Sequence, residues 1–255
     1  MTVALGIDTG GTYTDAVLVD QASGGVVAGA KALTTYRDLA IGIGEAVTAV
    51  FDGQAVSPAD VGLVGLSTTL ATNAIVEGRG SPVCLLLIGY DPALIQQYGF
   101  ERDLVTQDVV YLRGGHDGAG DEVAPLDEAA AREAIRARRE QVEAFAVSGY
   151  FGVRNPAHEL RVRTLVEELS ADDDGLPLPV TCGHELTTRL NAVRRATTVA
   201  LNARLISLLR ELIATVRRTL DGRGGDAPLM VVKGDGSLVR AEWAMRRPIE
   251  TILSG

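Results

Sequence analysis

Cysteine, tryptophan and histidine are scarce here: two, one and three among 255 residues. Cys84 and Cys182 lie far apart, and Cys84 sits inside an apolar run, so the disulfide framework of a small secreted domain is excluded and two free thiols are expected. His158-Glu159 and His184-Glu185 each open like the zinc motif H-E-x-x-H, but Val162 and Thr188 stand where the second histidine belongs. Cys182 and His184 resemble a thiol–imidazole pair without a third orienting group, and a strand-end cysteine is the plainer reading. Ser148 does not complete G-x-S-x-G, and His116 and Asp117 read as solvated loop residues.

Positive charge is also short. With 24 Lys+Arg against 33 Asp+Glu the formal net charge is -9, so the overall field repels phosphate backbones and anionic membranes, and neither is expected as a partner. The most apolar run, Val83 to Gly89, is too short to span a bilayer, and no basic segment followed by an apolar one opens the chain. A cytoplasmic location is expected. No solenoid-period repeat and no low-complexity tract is visible. G-x-x-x-x-G-K-[ST] is missing, and Gly6, Gly10 and Gly11 do not fit G-x-G-x-x-G, which disfavours a P-loop or a dinucleotide fold.

What is present is 46% hydrophobic content in a clear order. Residues 3 to 33 read as three consecutive strands with glycine turns at TGGTYT and QASGG. Helices and strands then alternate: a helix from about Asp38 to Phe51, the strand VGLVGLS, a helix across TTLATNAIVEG, and the strand SPVCLLLIG. A second series comes next: LDEAAAREAIRARRE, VEAFAVSGY, NPAHELRVRTLVEELS and a short strand near PVTCG. A long amphipathic helix spans about Thr188 to Leu220, and PLMVVKG forms a late strand. GGHDGAGDEVAP reads as an exposed, mobile loop. The expected division is a ribonuclease-H-like domain over 1–90, an α/β region over 91–187, and the long helix with the start of a second half over 188–255.

The stretch IDTGGTYTDAVLVD carries the chemistry. An acid at a strand end, followed by Thr-Gly-Gly-Thr, lets the backbone approach phosphate oxygens closely and leaves Asp8 to anchor a hydrated Mg²⁺. The same residues also serve as an ordinary hairpin turn. STTLATN after the fourth strand is read equally well as a helix cap or as an anion-binding terminus.

DTGGTYTD resembles the first phosphate loop of the actin, Hsp70 and sugar-kinase superfamily. Together with STTLATNAIVEGRG, FAVSGYFGVRNPAHELRV, GHE and RRPIETILSG, the chain resembles the hydantoinase A / 5-oxoprolinase family over almost its whole length. The resemblance implies an α/β, actin-like ATPase fold and ATP-dependent hydrolysis of cyclic amides, with relatives among acetone and acetophenone carboxylase subunits. It further implies ATP and Mg²⁺ as cofactors and a second subunit of hydantoinase B type. In that scheme Asp8 holds the metal through water, Thr9, Gly10, Gly11, Thr12, Thr14 and Asp15 form the phosphate loop, and Asp8 and Thr12 act in catalysis. Thr68, Thr69, Thr72 and Asn73 then face the substrate. Small-molecule kinase and non-catalytic ATPase switch are the rival readings. Superfamily members carry a second Gly-rich hairpin that this chain lacks, so a truncated portion with weak or no ATP binding and a frayed PIETIL end is expected.

Overall fold

The computed structural model describes residues 2–35, 38–76, 78, 80–223 and 225–252. The chain runs β1 (Val3–Thr9), β2 (Tyr13–Asp20), β3 (Val26–Leu33), α1 (Leu39–Phe51), β4 (Val61–Thr68) and α2 (Leu70–Val76). It continues through β5 (Val83–Ile88), α3 (Pro92–Gln97), β6 (Val109–Leu112), α4 (Glu128–Arg138), β7 (Ala144–Gly149), α5 (Ala157–Leu169), β8 (Val180–Cys182) and α6 (Gly183–Leu186). The long α7 (Ala192–Asp221), β9 (Leu229–Val232), β10 (Leu238–Arg240) and α8 (Ala241–Ala244) complete it.

Two compact units result, Met1–Arg79 with Leu208–Gly255, and Gly80–Ser207. The first holds a six-stranded sheet in the order β10-β9-β4-β1-β2-β3. Its first three strands are antiparallel neighbours, as their tight glycine turns require, while β4 runs parallel to β1 and β9 parallel to β4. This is the mixed α/β arrangement expected from the β-β-β opening. In β1, Val3, Leu5, Ile7 and Thr9 are buried and the residues between them half-buried, the period of two that puts alternate side chains into the core. They pack with Ile43 and Val47 of α1, Leu66 of β4 and Val216 of α7. Asp38 starts α1 by accepting the Ala40 N–H at 2.9 Å.

The second unit is a four-stranded parallel sheet in the order β6-β5-β7-β8. The middle strands β5 and β7 are buried on both faces, which explains the unbroken apolar runs VCLLLI and AFAV. The observed division differs from the one drawn on the sequence at two points. β5 pairs with β6 and β7 and so belongs to the second sheet, and β9 returns to pair with β4, so the last segment completes the first sheet.

Other differences are local. The helix across TTLATNAIVEG is confined to α2, and α7 begins at Ala192 because Asn191 Oδ1 accepts the Arg194 N–H at 3.0 Å just before it. The glycine-rich loop is tied down: Asp117 Oδ1 accepts the N–H groups of Ala119, Gly120 and Asp121, and His116 bridges Glu122. His116, expected in solvent, is buried against His158 with ring centroids 4.4 Å apart. Near the end, Pro248–Thr251 is a 3-10 turn with Pro248 and Thr251 buried, so this part of PIETIL packs down. Leu253 to Gly255 lie outside the described residues.

Candidate functional site

The DTGGT turn lies at the carboxyl end of β1, between β2 and β4. Registers pair Asp8 with Asp15 and with Ser67, and Thr9 with Thr14 and with Thr68. Alternation therefore sorts these residues onto two faces. Asp8, Asp15 and Ser67 share the half-buried face, while Thr9, Thr14 and Thr68 share the core face and are buried. Asp8 Oδ1 accepts a hydrogen bond from Ser67 Oγ at 2.8 Å, and Asp15 forms an ion pair with Lys31 at 3.2 Å.

The turn closes on itself. Gly10 N–H donates to Tyr13 O at 2.9 Å, and a Cβ at Gly10 would lie 3.1 Å from that same oxygen, so a side chain there crowds the turn. Thr34 braces the loop from β3's end: its hydroxyl donates to Gly10 O at 2.9 Å and its N–H to Thr12 O at 2.9 Å. Thr14 Oγ1 lies 3.1 Å from the same Thr34 hydroxyl, which makes it part of this brace on the core face. Gly11 is half-buried, and Thr12 is exposed at the tip. Thr9 Oγ1 is buried with no hydrogen-bond partner among the described residues.

Beside the loop, Thr9 O accepts both the Thr68 hydroxyl and the Thr69 N–H at 3.2 Å, tying the start of α2 to β1. Thr69 O accepts the Asn73 N–H at 2.9 Å, and Asn73 Nδ2 lies 3.4 Å from the Thr69 hydroxyl. Thr72 and Asn73 are half-buried. The structure thus brings both halves of the expected site together, with Thr9, Thr14 and Thr68 turned inward and Asp8, Asp15, Thr12 and Thr69 on or near the surface. Ser67, placed beside Asp8 by a parallel pairing, carries no signal of a site role in the motif itself. Every donor near Asp8 is oxygen, a carboxylate or hydroxyl set without sulfur or imidazole, which fits a hard cation such as Mg²⁺.

A second polar cluster occupies the carboxyl ends of β7 and β8. Glu159, 1% exposed, accepts the Gly149 N–H at 2.7 Å on Oε1, and on Oε2 the His184 N–H at 3.0 Å with His184 Nδ1 at 2.5 Å. The two incomplete H-E dipeptides of the sequence meet here. Cys182 Sγ, 3.6 Å from Glu159 O, makes this a Glu-Cys-His group with metal-ligand chemistry. The geometry is that of hydrogen bonding. Two ligands of one tetrahedral ion, each about 2.0–2.2 Å from it, sit roughly 3.3 Å apart, whereas Nδ1 and Oε2 are at the distance of a shared proton. Burial pushes the Cys182 thiol far up, so it is no nucleophile at neutral pH. Arg195, also 1% exposed, donates to Gly149 O at 2.8 Å and Arg189 O at 2.9 Å, completing a packed structural node.

Family models extend the comparison beyond single residues. Residues 4–170 match the hydantoinase/oxoprolinase N-terminal region, and residues 195–255 match hydantoinase/oxoprolinase. The alpha subunit of caprolactamase from Pseudomonas jessenii is 31% identical over 271 residues, covering 98% of this chain and 38% of its own. The gamma subunit of acetophenone carboxylase from Aromatoleum aromaticum is 27% identical over 259 residues, covering 91% of this chain and 35% of its own. The crystal structure of the ATP-dependent caprolactamase from Pseudomonas jessenii superimposes with a TM-score of 0.80 at 29% identity, over 99% of this chain and 38% of that one. The chain thus spans between a third and two fifths of the length of these relatives. Among the described residues no helix is long and apolar enough to cross a membrane. With two adjoining family models matched across most of its length, the chain belongs to the hydantoinase/oxoprolinase family.

Proposed function

We propose that this chain carries the first phosphate-binding loop of an ATP-dependent enzyme that activates and hydrolyses the C–N bond of a cyclic amide or imide, in the cytoplasm and together with a second subunit of hydantoinase B type. The observation that carries the reading is Asp8, an acid held at the carboxyl end of β1 beside a closed Gly-Gly turn, with one oxygen fixed by Ser67. Similarity to an ATP-dependent caprolactamase supports the ATP and the cyclic amide.

An amide resists water because resonance stabilises its carbonyl and nitrogen leaves poorly. ATP supplies the phosphoryl group that lowers this barrier, and Mg²⁺ supplies positive charge beside the phosphates. The chain's own residues position and orient. Asp8 presents its carboxylate to the hydrated cation, the main chain from Thr9 to Thr12 approaches the phosphates, and the exposed Thr12 hydroxyl donates to a phosphate oxygen. Thr14 and Thr68 hold the turn from the core side, and Asp15 is braced by Lys31. Thr69, Thr72 and Asn73 line the approach of the substrate where α2 begins.

A carboxylase is the second reading, favoured by the 27% identity to the acetophenone carboxylase gamma subunit. Both readings use Asp8. In the complete polypeptide bearing this sequence, Asp8→Asn is expected to lower ATP-dependent turnover by about two to four orders of magnitude with the fold intact, because the exchange is nearly isosteric and removes the charge. Turnover close to wild type in a folded variant would rule Asp8 out as the cation anchor. Product analysis with caprolactam-type lactams, and with ketones plus bicarbonate, separates hydrolase from carboxylase.

A further inference from the structure

Four residues form a row across one face of the first sheet, one on each of four adjacent strands: Lys31 on β3, Asp15 on β2, Asp8 on β1 and Ser67 on β4. The registers Asp15 with Lys31, Asp8 with Asp15, and Asp8 with Ser67 make each the direct neighbour of the next. The two acids therefore stand opposite each other on the same face, an arrangement that costs free energy when both are charged. Each also has its own partner on its outer side, Lys31 for Asp15 at 3.2 Å and Ser67 for Asp8 at 2.8 Å.

The two partners differ in kind. Lys31 cancels the charge of Asp15, whereas Ser67 donates a hydrogen bond and leaves the charge of Asp8 in place. Ser67 is also dispensable for sheet cohesion, since β1 and β4 are already paired over seven residues of β1. Its hydroxyl fixes Asp8 Oδ1, which directs the remaining lone pairs, chiefly those of Oδ2, toward whatever approaches that face.

Resting on the function proposed above, we propose that Ser67 is a positioning residue that orients the Asp8 carboxylate for the hydrated divalent cation, while Lys31 keeps Asp15 from competing for it. The row assigns the cation to one of two neighbouring acids. A hydrogen bond to a carboxylate that serves only to tie two strands together predicts a change in stability alone. A positioning role predicts a change in metal dependence.

The test is calorimetry and Mn²⁺ electron paramagnetic resonance on the complete polypeptide, with ATP titrated in the presence and absence of Mg²⁺. Ser67→Ala is expected to raise the Mg²⁺ concentration for half-maximal nucleotide binding about tenfold, the scale of one charge-assisted hydrogen bond. Affinity for metal-free ATP should change less than twofold, and Ser67→Thr, which keeps the hydroxyl, should recover most of the loss. In an Asp8→Asn background Ser67→Ala should add nothing, and Asp15→Asn alone should shift Mg²⁺ dependence less than threefold. Equal weakening with and without metal, or an Asp15→Asn loss as large as that of Asp8→Asn, would overturn the inference. If Asp8→Asn removes metal dependence and Ser67→Ala leaves it unchanged, this inference fails by itself. If Asp8→Asn leaves metal dependence unchanged, the proposed function fails with it.

Discussion

Asp8 in the first unit and Glu159 in the second are both acids close to the carboxyl end of a parallel strand, yet their surroundings are opposite. Asp8 is half-buried and receives a hydroxyl on one oxygen. Glu159 is almost fully buried and receives N–H groups on both oxygens, from Gly149 and His184, together with the His184 ring. An acid with bonding capacity left over faces outward and serves a ligand. An acid whose capacity is filled by its own chain holds elements together, here β7, α5 and α6.

The same chemical change should therefore do opposite things at the two sites. Asp8→Asn removes a charge but keeps an oxygen for Ser67, so the melting temperature should move by no more than about 2 °C while activity collapses. Glu159→Gln places an amide N–H₂ against either the Gly149 or the His184 N–H, leaving a buried donor facing a donor. The expected loss is about 3 kcal/mol in the second unit, roughly 10 °C in its unfolding midpoint. Circular dichroism on heating, with amide exchange at Gly149 and His184, measures it. A Glu159→Gln variant as stable as wild type would erase the distinction between the two acids.

Gly152 sharpens the comparison at smaller scale. A Cβ added there would lie 2.2 Å from Glu159 Oε1, so Gly152→Ala must displace the carboxylate or the backbone. A cost of about 1–3 kcal/mol is expected, the usual penalty of overpacking. Denaturant unfolding tests it, and an unchanged midpoint would mean that the carboxylate moves aside freely.

Much of this molecule is legible in its sequence. Asp8, Gly10 and Gly11 declare a strand-turn-strand because glycine and period-two burial are local signals. The partner of Asp8 is not local. Ser67 is 59 residues away, and only the parallel pairing of β1 with β4 brings it alongside. Glu159 and His184 each fail a motif confined to one helix, while their actual link crosses 25 residues between α5 and α6. His116 reads as solvated for a related reason: glycine-rich composition suggests exposure, but the bridge to Glu122 folds the loop back over His158. β5 reads like any apolar strand, and nothing in its own sequence says that it pairs with β6 and β7 instead of joining the first sheet.

Thr9 offers a reversal of sign. Its hydroxyl is buried without a partner among the described residues, so Thr9→Val removes an unsatisfied polar atom while keeping the β-branched shape that the strand favours. A gain of up to about 1 kcal/mol is expected, with Mg-ATP affinity in the complete polypeptide changed less than twofold, because this side chain lies on the face opposite Asp8. Urea unfolding and calorimetry check the two halves of that statement. A stability loss would show that the hydroxyl has a partner, and a large affinity loss would place it at the ligand.

The smallest effect separates a third polar group from both acids. His116 is 8% exposed, and burial, followed by the neighbouring His158, lowers its pKa below the ordinary 6.5, with Glu122 and Asp117 acting the other way. Above pH 6.5 the imidazole is neutral in both the folded and the unfolded chain and contributes no pH dependence. As pH falls through 6.5 the unfolded chain takes up a proton that the folded one resists, so stability declines until the lowered folded value is reached, below which the contribution is constant. His116→Gln should flatten this shallow slope between pH 6.5 and about 5, a range above that in which ordinary carboxylates titrate. The measurement is the difference in unfolding free energy between wild type and variant at several pH values in that window. A difference that does not change with pH would show that His116 is as easily protonated in the folded chain as in the unfolded one. The loop would then be open to water at that point, despite its bridge to Glu122.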